Sequence, residues 1–422
     1  MLGAGNRGFD VYGNYALEHP DQLQFVAVSD SDPAKLERFG NAHDIALESR
    51  FLNWQDAIEN VRARHASPLP NMAAFICLPD VLHENAAIKT LASGFPLMLE
   101  KPVASTLEGT LRVAKAARDS KKVVMLGYVL RYTPFFQTVR EVVQSGKLGE
   151  VVTISWRENV WSLHMAHSYV RGNWGNTRRS SPMILAKCSH DLDLLGWITG
   201  KQIARLSSFG NLQYFNIRNA PEGVPERCTD GCPIEDSCIF HAAKIYLTDN
   251  TDWPTSTISA DMSLKARRQA LETSNYGRCV YRLDNDAVDN QVVSFAFEDG
   301  GSGTLTMHGH SAEEGRTIRI DGTKATLRGA FNTTLQELRL ERHGALYDGG
   351  ELIPMLESNT AGGRHGGGDD GLTAAFVHTV QAQHIEPISS YLESHFLAFA
   401  IERARLENRV INMSEFRQKL EL

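Results

Sequence analysis

The glycine pattern Gly3-Ala4-Gly5-Asn6-Arg7-Gly8 is the feature that most restricts what this chain can fold into. In such a pattern the first glycine permits a tight turn, the second lets the backbone approach a ligand phosphate, and the third lets a helix pack closely on a strand. A helix that begins near Asn6 and Arg7 points its amide donors at that phosphate. Taken alone, the pattern also fits a glycine-rich turn that binds nothing.

Short apolar runs alternate with helical stretches over the first 127 residues. The runs predict buried strands at 25–28, 73–78, 96–99 and 123–127, separated by helices at 32–39, 81–93 and 105–120. Ser105 and Glu108 have the spacing of a capping box for the third helix. The alternation predicts an α/β N-terminal domain, residues 1–127, with a doubly wound parallel Rossmann sheet. Because only two residues precede the glycine pattern, we expect the first strand to extend upstream of residue 1.

The pattern changes near residue 150. Alternating polar and apolar residues predict strands at 151–156, 291–297, 303–308, 316–321, 324–328 and 335–340. We expect a C-terminal α+β domain, residues 128–422, with an open, mostly antiparallel sheet, a cysteine-rich insertion at about 210–280 and a final helix at 391–408. An open sheet needs cover, so we expect a homo-oligomer, a dimer or tetramer formed through that sheet.

Asp30 follows Gly8 by 22 residues, at the end of a predicted strand. A carboxylate at this spacing accepts hydrogen bonds from the ribose hydroxyls of a dinucleotide and repels a 2′-phosphate, which favours NAD over NADP. Asp30 also fits a simple turn, because residues 29–33 are turn-forming. Leu78 and Pro79 lie in a third strand-to-helix loop that we expect to touch the cofactor. His83, on the next helix, is a further candidate contact, although its position predicts that it faces solvent.

Together these motifs resemble the glucose-fructose oxidoreductase and inositol dehydrogenase family over nearly the whole chain. The resemblance rests on the glycine pattern, Asp30, residues 78–80, Glu100-Lys101-Pro102, Arg131, Tyr132, Pro134, residues 146–150, His190 and Asp193. It implies a dinucleotide-binding domain followed by an open-sheet domain, with hydride transfer between a sugar or polyol and nicotinamide. It further implies that Glu100 and Lys101 lie beside the nicotinamide, through a cis peptide before Pro102, with Lys101 on the reacting hydroxyl.

A second group of candidates lies in the apolar run 182–195, which contains Lys187, His190, Asp191 and Asp193. Charged groups in such a run are costly unless they are paired. Helical spacing predicts that Lys187 and His190 share a face, as do His190 and Asp193. By the resemblance, His190 holds the position of the acid/base histidine, and an imidazole suits removal of a hydroxyl proton. The alternative is a structural helix histidine.

Many relatives carry a carboxylate four residues before that histidine, where this chain has Ala186. Lys187 is the nearest polar neighbour, so it joins Lys101 and His190 as a catalytic candidate. A cation beside the base would lower the pKa of that base.

A polar and aromatic stretch upstream, residues 157–174, predicts a substrate loop, since aromatic faces stack on sugars while Arg and His bind hydroxyl or carboxylate groups. The candidate substrate contacts are Arg157, His164, His167, Arg171 and, in the apolar run, Asp191. The alternative is a loop anchored by buried tryptophans. The glycine-rich loop 364–370 either closes over the site or is simply exposed.

Three cysteines, Cys228, Cys232 and Cys238, are closely spaced in the insertion. They predict a structural zinc site, with His241 or Cys279 as a fourth ligand, although a disulfide or free thiols also fit. Cys77 and Cys188 fit packed core positions.

Composition narrows the function classes. The net charge of −7 argues against a nucleic acid or an anionic membrane as partner, and no apolar run approaches the roughly 20 residues of a membrane span. Six cysteines in 422 residues and no leader pattern favour the cytoplasm. We therefore predict an NAD-dependent dehydrogenase of a sugar, polyol or sugar-derived acid. An NAD-dependent glycoside hydrolase that oxidises its substrate transiently, and a non-catalytic NAD-binding regulator, are the alternatives.

Overall fold

The computed structural model of the chain describes residues 1–64, 71–344, 346, 349–358, 362–418 and 420. Its first sheet is completed by Leu2. The five short parallel strands are β1 (Val28–Ser29), β2 (Arg50–Phe51), β3 (Ala74–Ile76), β4 (Leu97–Leu99) and β5 (Val124–Leu126). Leu2 forms parallel bridges with Ser29 of β1 and Ile76 of β3. The sheet therefore runs β2-β1-Leu2-β3-β4-β5, the doubly wound order in which a dinucleotide binds at the central strands.

Helices flank this sheet, three of them as predicted at 32–39, 81–93 and 105–120, and two that the apolar periodicity did not predict, at 14–18 and 54–64. They are α1 (Asn14–Glu18), α2 (Pro33–Ala42), α3 (Trp54–Arg64), α4 (Asp80–Ala92) and α5 (Leu107–Ser120). The Asp32 side chain accepts from the Ala34 amide and caps α2. The prediction of a cap at Ser105 is wrong by one residue, because the hydroxyl of Thr106 accepts the Gly109 amide and starts α5.

A nine-stranded sheet forms the second part of the fold. Its strands are β6 (Val151–Trp161), β7 (Ile203–Asn211), β8 (Asn290–Phe297), β9 (Ser302–Ser311), β10 (Gly315–Gly322), β11 (Ala325–Asn332), β12 (Gln336–Arg342), β13 (Glu351–Leu352) and β14 (Ile411–Asn412). The order is β13-β12-β11-β10-β6-β9-β8-β7-β14, antiparallel except for β6 and β9. The predicted open, mostly antiparallel sheet is thus confirmed.

The two faces of this sheet differ. Inward residues such as Trp156 and Ile318 are buried, and the Trp156 ring stacks 5.9 Å from that of Phe136. Outward positions are mostly polar or small, although Phe209 is 67% exposed there. The helices of this part of the chain are α6 (Pro134–Gln144), α7 (Ser162–His164), α8 (Met183–Ala186), α9 (Ser189–Thr199), α10 (Ala242–Tyr246), α11 (Leu264–Thr273), α12 (Gly368–Gln381), α13 (Ser389–Glu407) and α14 (Met413–Gln418).

The last helices of the chain return to the first sheet. Phe376 of α12 packs edge-on against Phe75 of β3, with ring centroids 5.1 Å apart. His395 of α13 accepts a hydrogen bond from the Val103 amide, just after the Glu100-Lys101-Pro102 motif. The C-terminal segment therefore helps to hold the cofactor side of the fold, while the division at residue 127 stays a prediction.

None of the described helices combines the length and the apolar character that a membrane crossing requires.

Candidate active site

The glycine pattern forms a tight loop with one open side. Gly3 has φ of +92°, and a Cβ there would lie 2.5 Å from the carbonyl oxygen of Cys77. A Cβ on Gly8 would lie 2.1 Å from the carbonyl oxygen of Gly3, whereas a Cβ on Gly5 would meet nothing within 4 Å. Helical backbone starts at Asn6. The loop thus has the open approach at Gly5 and the helix N-terminus that a dinucleotide phosphate requires, and the residues fit this cofactor.

The Asp30 carboxylate lies against the same loop. One oxygen accepts the Ala4 amide at 2.8 Å, and the other accepts the Asp32 amide at 2.9 Å. A carboxylate has about four lone-pair sites, so these two bonds leave acceptors for ribose hydroxyls. Asp30 therefore shapes its own turn and also faces the place where the adenosine ribose is expected.

Arg7 and Glu100 differ from the expectation that both contact the dinucleotide. The guanidinium of Arg7 pairs with Glu100 at 2.7 Å and with Asp369 of α12 at 2.8 Å. The Glu100 carboxylate is buried and also accepts from the Tyr12 hydroxyl at 2.7 Å. These side chains are committed to one another, so they join the glycine loop, β4 and α12 instead of offering free groups to a phosphate.

His83 also differs from the prediction. It is 1% exposed, and its ring nitrogens lie 2.6 Å from the Pro102 carbonyl oxygen and 2.7 Å from that of Leu78. The expected solvent exposure is wrong, because the imidazole links two cofactor-side loops. It has no free nitrogen to offer to a cofactor.

Lys101 lies two residues beyond the end of β4, and its bond to Pro102 is cis. Its Nζ donates to the carbonyl oxygen of Ala186 at 2.6 Å. Burial lowers the pKa of Lys101, and the positive charges of Lys187 and Arg7 add to this, while Glu100 and Asp80 oppose it. Asp80, which the sequence analysis overlooked as a site residue, is buried at the start of α4 beside the predicted Leu78-Pro79 loop.

The apolar run 182–195 is two helices with a break between them. Helix α8 ends at Ala186 and α9 begins at Ser189, so the predicted shared helical face of Lys187 and His190 is wrong. Three charged groups of the run are paired. Asp193 pairs with Arg131, Asp191 with Arg316, and Lys187 with Glu158 and Glu314.

His190 differs from these three neighbours. Among the described residues, its buried Nδ1 atom has no hydrogen-bond partner. Burial lowers the pKa of His190 well below its ordinary value, and the charges of Lys101, Arg316, His365 and Lys187 lower it further. The lowered pKa favours the neutral imidazole, and no hydrogen bond from the described residues occupies its Nδ1 atom.

Lys187 lies between two carboxylates that the sequence analysis missed. Its Nζ is 2.5 Å from Glu314 and 3.3 Å from the fully buried Glu158. Burial raises the pKa of Glu158 to about 7, against the opposing charges of Arg316 and Lys187. Glu314 also lies 3.0 Å from Nδ1 of His164. These carboxylates are 29 and 127 residues from Lys187 in the chain, so local sequence does not pair them with it. The alternation of β6 is the one signal that Glu158 points inward.

His164 is the substrate candidate that stands nearest this group. Its ring meets that of Trp253 edge-on, with centroids 4.9 Å apart, and it stays partly exposed. An imidazole, a carboxylate and an indole thus form one wall beside Lys187.

The other four substrate candidates are not placed for contact with a ligand. Arg157 is exposed on the outward face of β6, away from Glu158. Asp191 is fully buried and accepts from Trp156 and Arg316. His167 is buried between Tyr246 and Thr257, and Arg171 is buried among the carbonyl groups of the insertion. The outward position of Arg157 follows from the alternation of β6. The other three side chains are buried by contacts with residues far away in the chain.

The glycine-rich loop turns back toward the site. His365, Gly366 and Gly367 all have positive φ angles, and His365 Nδ1 lies 3.1 Å from Asp369. The charge of His365 contributes to the lowered pKa of His190, so the loop lies near the base. Closure over a ligand stays a prediction.

Two family models match the chain. Residues 1–128 match the model described as an oxidoreductase family with an NAD-binding Rossmann fold, and residues 136–229 match the model described as the GFO/IDH/MocA C-terminal domain. Together the two matches cover more than half of the 422 residues.

Individual proteins give the same picture. YteT, a Bacillus subtilis protein classed among the oxidoreductases, is 23% identical over 69% of this chain and 68% of its own length. The inositol 2-dehydrogenase of Streptomyces avermitilis is 28% identical over 53% of this chain and 58% of its own length, less than two thirds of that protein. The WlbA dehydrogenase of Bordetella pertussis, solved with NADH and UDP-GlcNAcA, superposes with a TM-score of 0.64 at 15% identity over 97% of each chain. At that identity the superposition shows a shared fold.

Proposed function

Since the chain belongs to the GFO/IDH/MocA family of oxidoreductases, we propose that it transfers a hydride between an alcohol carbon of a sugar, polyol or sugar-derived acid and NAD. The observation that carries this proposal is the unpartnered, buried Nδ1 of His190, in the same run of residues as the Ala186 carbonyl oxygen that binds the Lys101 ammonium. Every other charged group of the run 182–195 has a partner, so His190 is the group that awaits a ligand.

In this proposal two side chains handle the reacting hydroxyl. His190, neutral because of its lowered pKa, takes the hydroxyl proton as the carbon–oxygen double bond forms. Lys101, held by the Ala186 carbonyl, donates a hydrogen bond to the same oxygen and stabilises its developing negative charge. The nicotinamide, when bound, supplies the hydride acceptor. In the reverse direction, protonated His190 returns the proton.

We propose NAD over NADP because two carboxylates share the turn after β1. Asp30 faces the ribose position, and Asp32 stands two residues further at the start of α2. A 2′-phosphate there would meet both negative charges.

The substrate class rests on the wall around His164. Glu314 and His164 offer hydrogen-bonding groups, and the Trp253 indole offers a flat apolar face beside them. This combination suits a polyhydroxylated carbon skeleton. Lys187 takes part as the cation that fixes Glu314, so its proposed catalytic role is to position that carboxylate.

The test is turnover against a panel of inositols, aldoses and sugar acids, with reduced nicotinamide measured by absorbance. Lys101→Met and His190→Gln are expected to lower kcat at least about 10³-fold while calorimetry shows unchanged NAD binding. The exposed Lys147→Met and His384→Gln serve as matched controls and are expected to leave kcat unchanged. Release of nitrophenol from aryl glycosides with no net reduction of NAD would instead identify a glycoside hydrolase, and NAD binding without any turnover would identify a regulator.

The assembly and the compartment stay proposals beside this function. The outward face of the nine-stranded sheet, with Phe209 and Val292 exposed, is the surface on which we expect a second copy to pack. Light scattering of the purified chain tests for a dimer or tetramer, and Phe209→Glu is expected to shift it toward the monomer. All six cysteines are free thiols, which fits the cytoplasm.

A further inference from the structure

Four cysteines of the irregular insertion face one small cavity. Cys228, Cys232, Cys238 and Cys279 all line a space of about 10 Å³. A space of this size holds about one water molecule or one ion. All four side chains are free thiols, so no disulfide explains why they converge.

The backbone holds two of these cysteines at diagonal positions on one face of a short bridge. Arg227 and Arg278 form an isolated antiparallel bridge, the Cys228 amide donates to Gly277, and the Cys279 amide donates to Glu226, each at 2.9 Å. Cys228 and Cys279 therefore follow paired residues of the bridge and emerge on its same face, although 51 residues separate them. Cys232 and Cys238 come from the turn-rich segment that follows Cys228.

Arg171 shows that this cluster is built for negative charge. Its side chain is 1% exposed, and its Nη2 lies 3.5 Å from the Cys228 sulfur. Its hydrogen bonds go to the carbonyl oxygens of Arg278 and Phe240, and its Nη1 has no partner among the described residues. A buried guanidinium without a carboxylate is costly, and thiolate sulfur is the counter-charge at hand.

We propose that Cys228, Cys232, Cys238 and Cys279 bind one Zn²⁺ ion as four thiolates, with the Arg171 guanidinium against the sulfur atoms. Four thiols release four protons to solvent, and no electron is transferred. The resulting zinc tetrathiolate carries two negative charges, of which Arg171 offsets one. Among the described residues no three candidate ligands already stand at metal-ligand spacing, so the side chains turn into the cavity to reach Zn–S distances of about 2.3 Å.

His241 is the competing fourth ligand. It lines the same cavity, is 2% exposed, and its Nδ1 has no hydrogen-bond partner among the described residues. That nitrogen lies 4.0 Å from a Glu235 oxygen, while Nε2 lies 2.9 Å from the Cys228 carbonyl oxygen. We assign His241 to support the Cys228 backbone and leave the fourth position to Cys279.

The ion would stabilise the insertion and, through it, the substrate wall. Between β7 and β8 the insertion contains only short helices and the one isolated bridge, so it has little regular structure of its own. Yet it supplies Trp253, which packs on His164, and Tyr246, which holds His167. This role goes beyond the proposed hydride transfer, because the ion touches none of the reacting groups.

Metal analysis of the full chain, purified without a metal-chelating tag, tests the proposal. We expect one zinc per chain in the wild type, and at least a tenfold lower content in Cys279→Ser. Cys77→Ser, a thiol outside the cluster, and His241→Gln are expected to retain zinc. Replacement of zinc by Co²⁺ in the wild type should give the sulfur-to-cobalt charge-transfer absorption of four thiolate ligands, whether or not a variant folds.

Other outcomes would overturn it. One is a wild type that neither contains zinc nor takes it up when reduced, and another is iron in place of zinc. The others are a disulfide, seen as the loss of two hydrogen atoms in the intact mass, and zinc that is retained in Cys279→Ser but lost in His241→Gln. Since zinc is measured without substrate, failure here leaves the proposed hydride transfer to its own test.

Discussion

The Nζ atom of Lys101 lies 2.6 Å from the carbonyl oxygen of Ala186. The resemblance places a carboxylate at this position in many relatives, whereas alanine offers only its backbone. Among the described residues the lysine has no ion-pair partner. Burial lowers the pKa of both Lys101 and His190, but Glu100 and Asp80 oppose this for Lys101 more strongly than Lys187 and Arg7 support it, whereas for His190 the neighbouring charges are all positive. His190 therefore has a positively charged setting in this chain.

Ala186→Asp is expected to reverse that setting. A carboxylate beside Lys101 and His190 favours the imidazolium, so the pKa of His190 rises and the acid limb of kcat/KM for alcohol oxidation moves to higher pH. A pH–rate profile measures the shift. Ala186→Asn has nearly the same shape without the charge, so an equal shift in both variants would contradict the electrostatic explanation.

Asp30→Asn is expected to lower the preference for NAD over NADP by about 10–100-fold, because the repulsion of a 2′-phosphate is lost. The amide oxygen can still accept the Ala4 amide, while the bond from the Asp32 amide is lost because an amide nitrogen does not accept. The ratio of kcat/KM for the two coenzymes measures the change. Asp32→Ser keeps the cap of α2 while removing the second carboxylate, and a larger change there than at Asp30 would move the discrimination to Asp32.

Two arginines on β10 test the buried ion-pair network. Arg316→Met removes the guanidinium that pairs with Asp191 and Glu158, both fully buried, and leaves them only the Trp156 indole and the Lys187 ammonium. The change is expected to cost about 3–5 kcal/mol of unfolding free energy. Arg319→Met breaks only an exposed pair with Asp321 on the outward face and is expected to cost about 1 kcal/mol or less. Chemical denaturation followed by circular dichroism compares the two variants. Equal losses of unfolding free energy would contradict the explanation that burial of the Arg316 ion pairs makes their loss costly.

Local sequence determines most of the fold. The apolar runs placed β3, β4 and β5 to within two residues, and the alternation placed β8 to β12, because strand and helix periods are properties of neighbouring residues. The glycine pattern predicted the tight loop because Gly3 and Gly8 approach neighbouring backbone atoms too closely for any residue with a Cβ.

Side-chain partners are less accessible to this reasoning. The rule that charges in an apolar run need partners held for Lys187 and Asp191, but it could not name Glu314 or Arg316, which lie more than 120 residues later. The prediction that His83 faces solvent is wrong because its two partners, the carbonyl oxygens of Leu78 and Pro102, belong to separate loops that local sequence does not bring together. Such contacts are determined by tertiary packing, and they produce no periodic pattern in the neighbouring sequence.

His395 makes the fold sensitive to acid. It is fully buried, and its Nε2 accepts the Val103 amide at 2.9 Å, so protonation there would oppose the donor that holds the loop after Lys101. Burial lowers the pKa of His395 to about 4, and the charges of Lys101 and His83 contribute to this. The unfolded chain takes up the proton below about pH 6.5, and the folded chain does so only near pH 4, so stability falls as the pH drops through that window.

His395→Gln removes this proton uptake from the unfolded chain. Between pH 7 and pH 5 the wild type is expected to lose about 2 kcal/mol of unfolding free energy through His395 alone, and the variant is expected to lack that part of the loss. Guanidinium unfolding at the two pH values measures the difference, with the exposed His384→Gln as the control for a histidine that is not buried. The variant is less stable at pH 7 because it loses ring packing against Tyr128, so the slope with pH, and not the stability at one pH, is the deciding quantity. A slope equal to that of the wild type would mean that His395 already binds its proton in the folded state near pH 6.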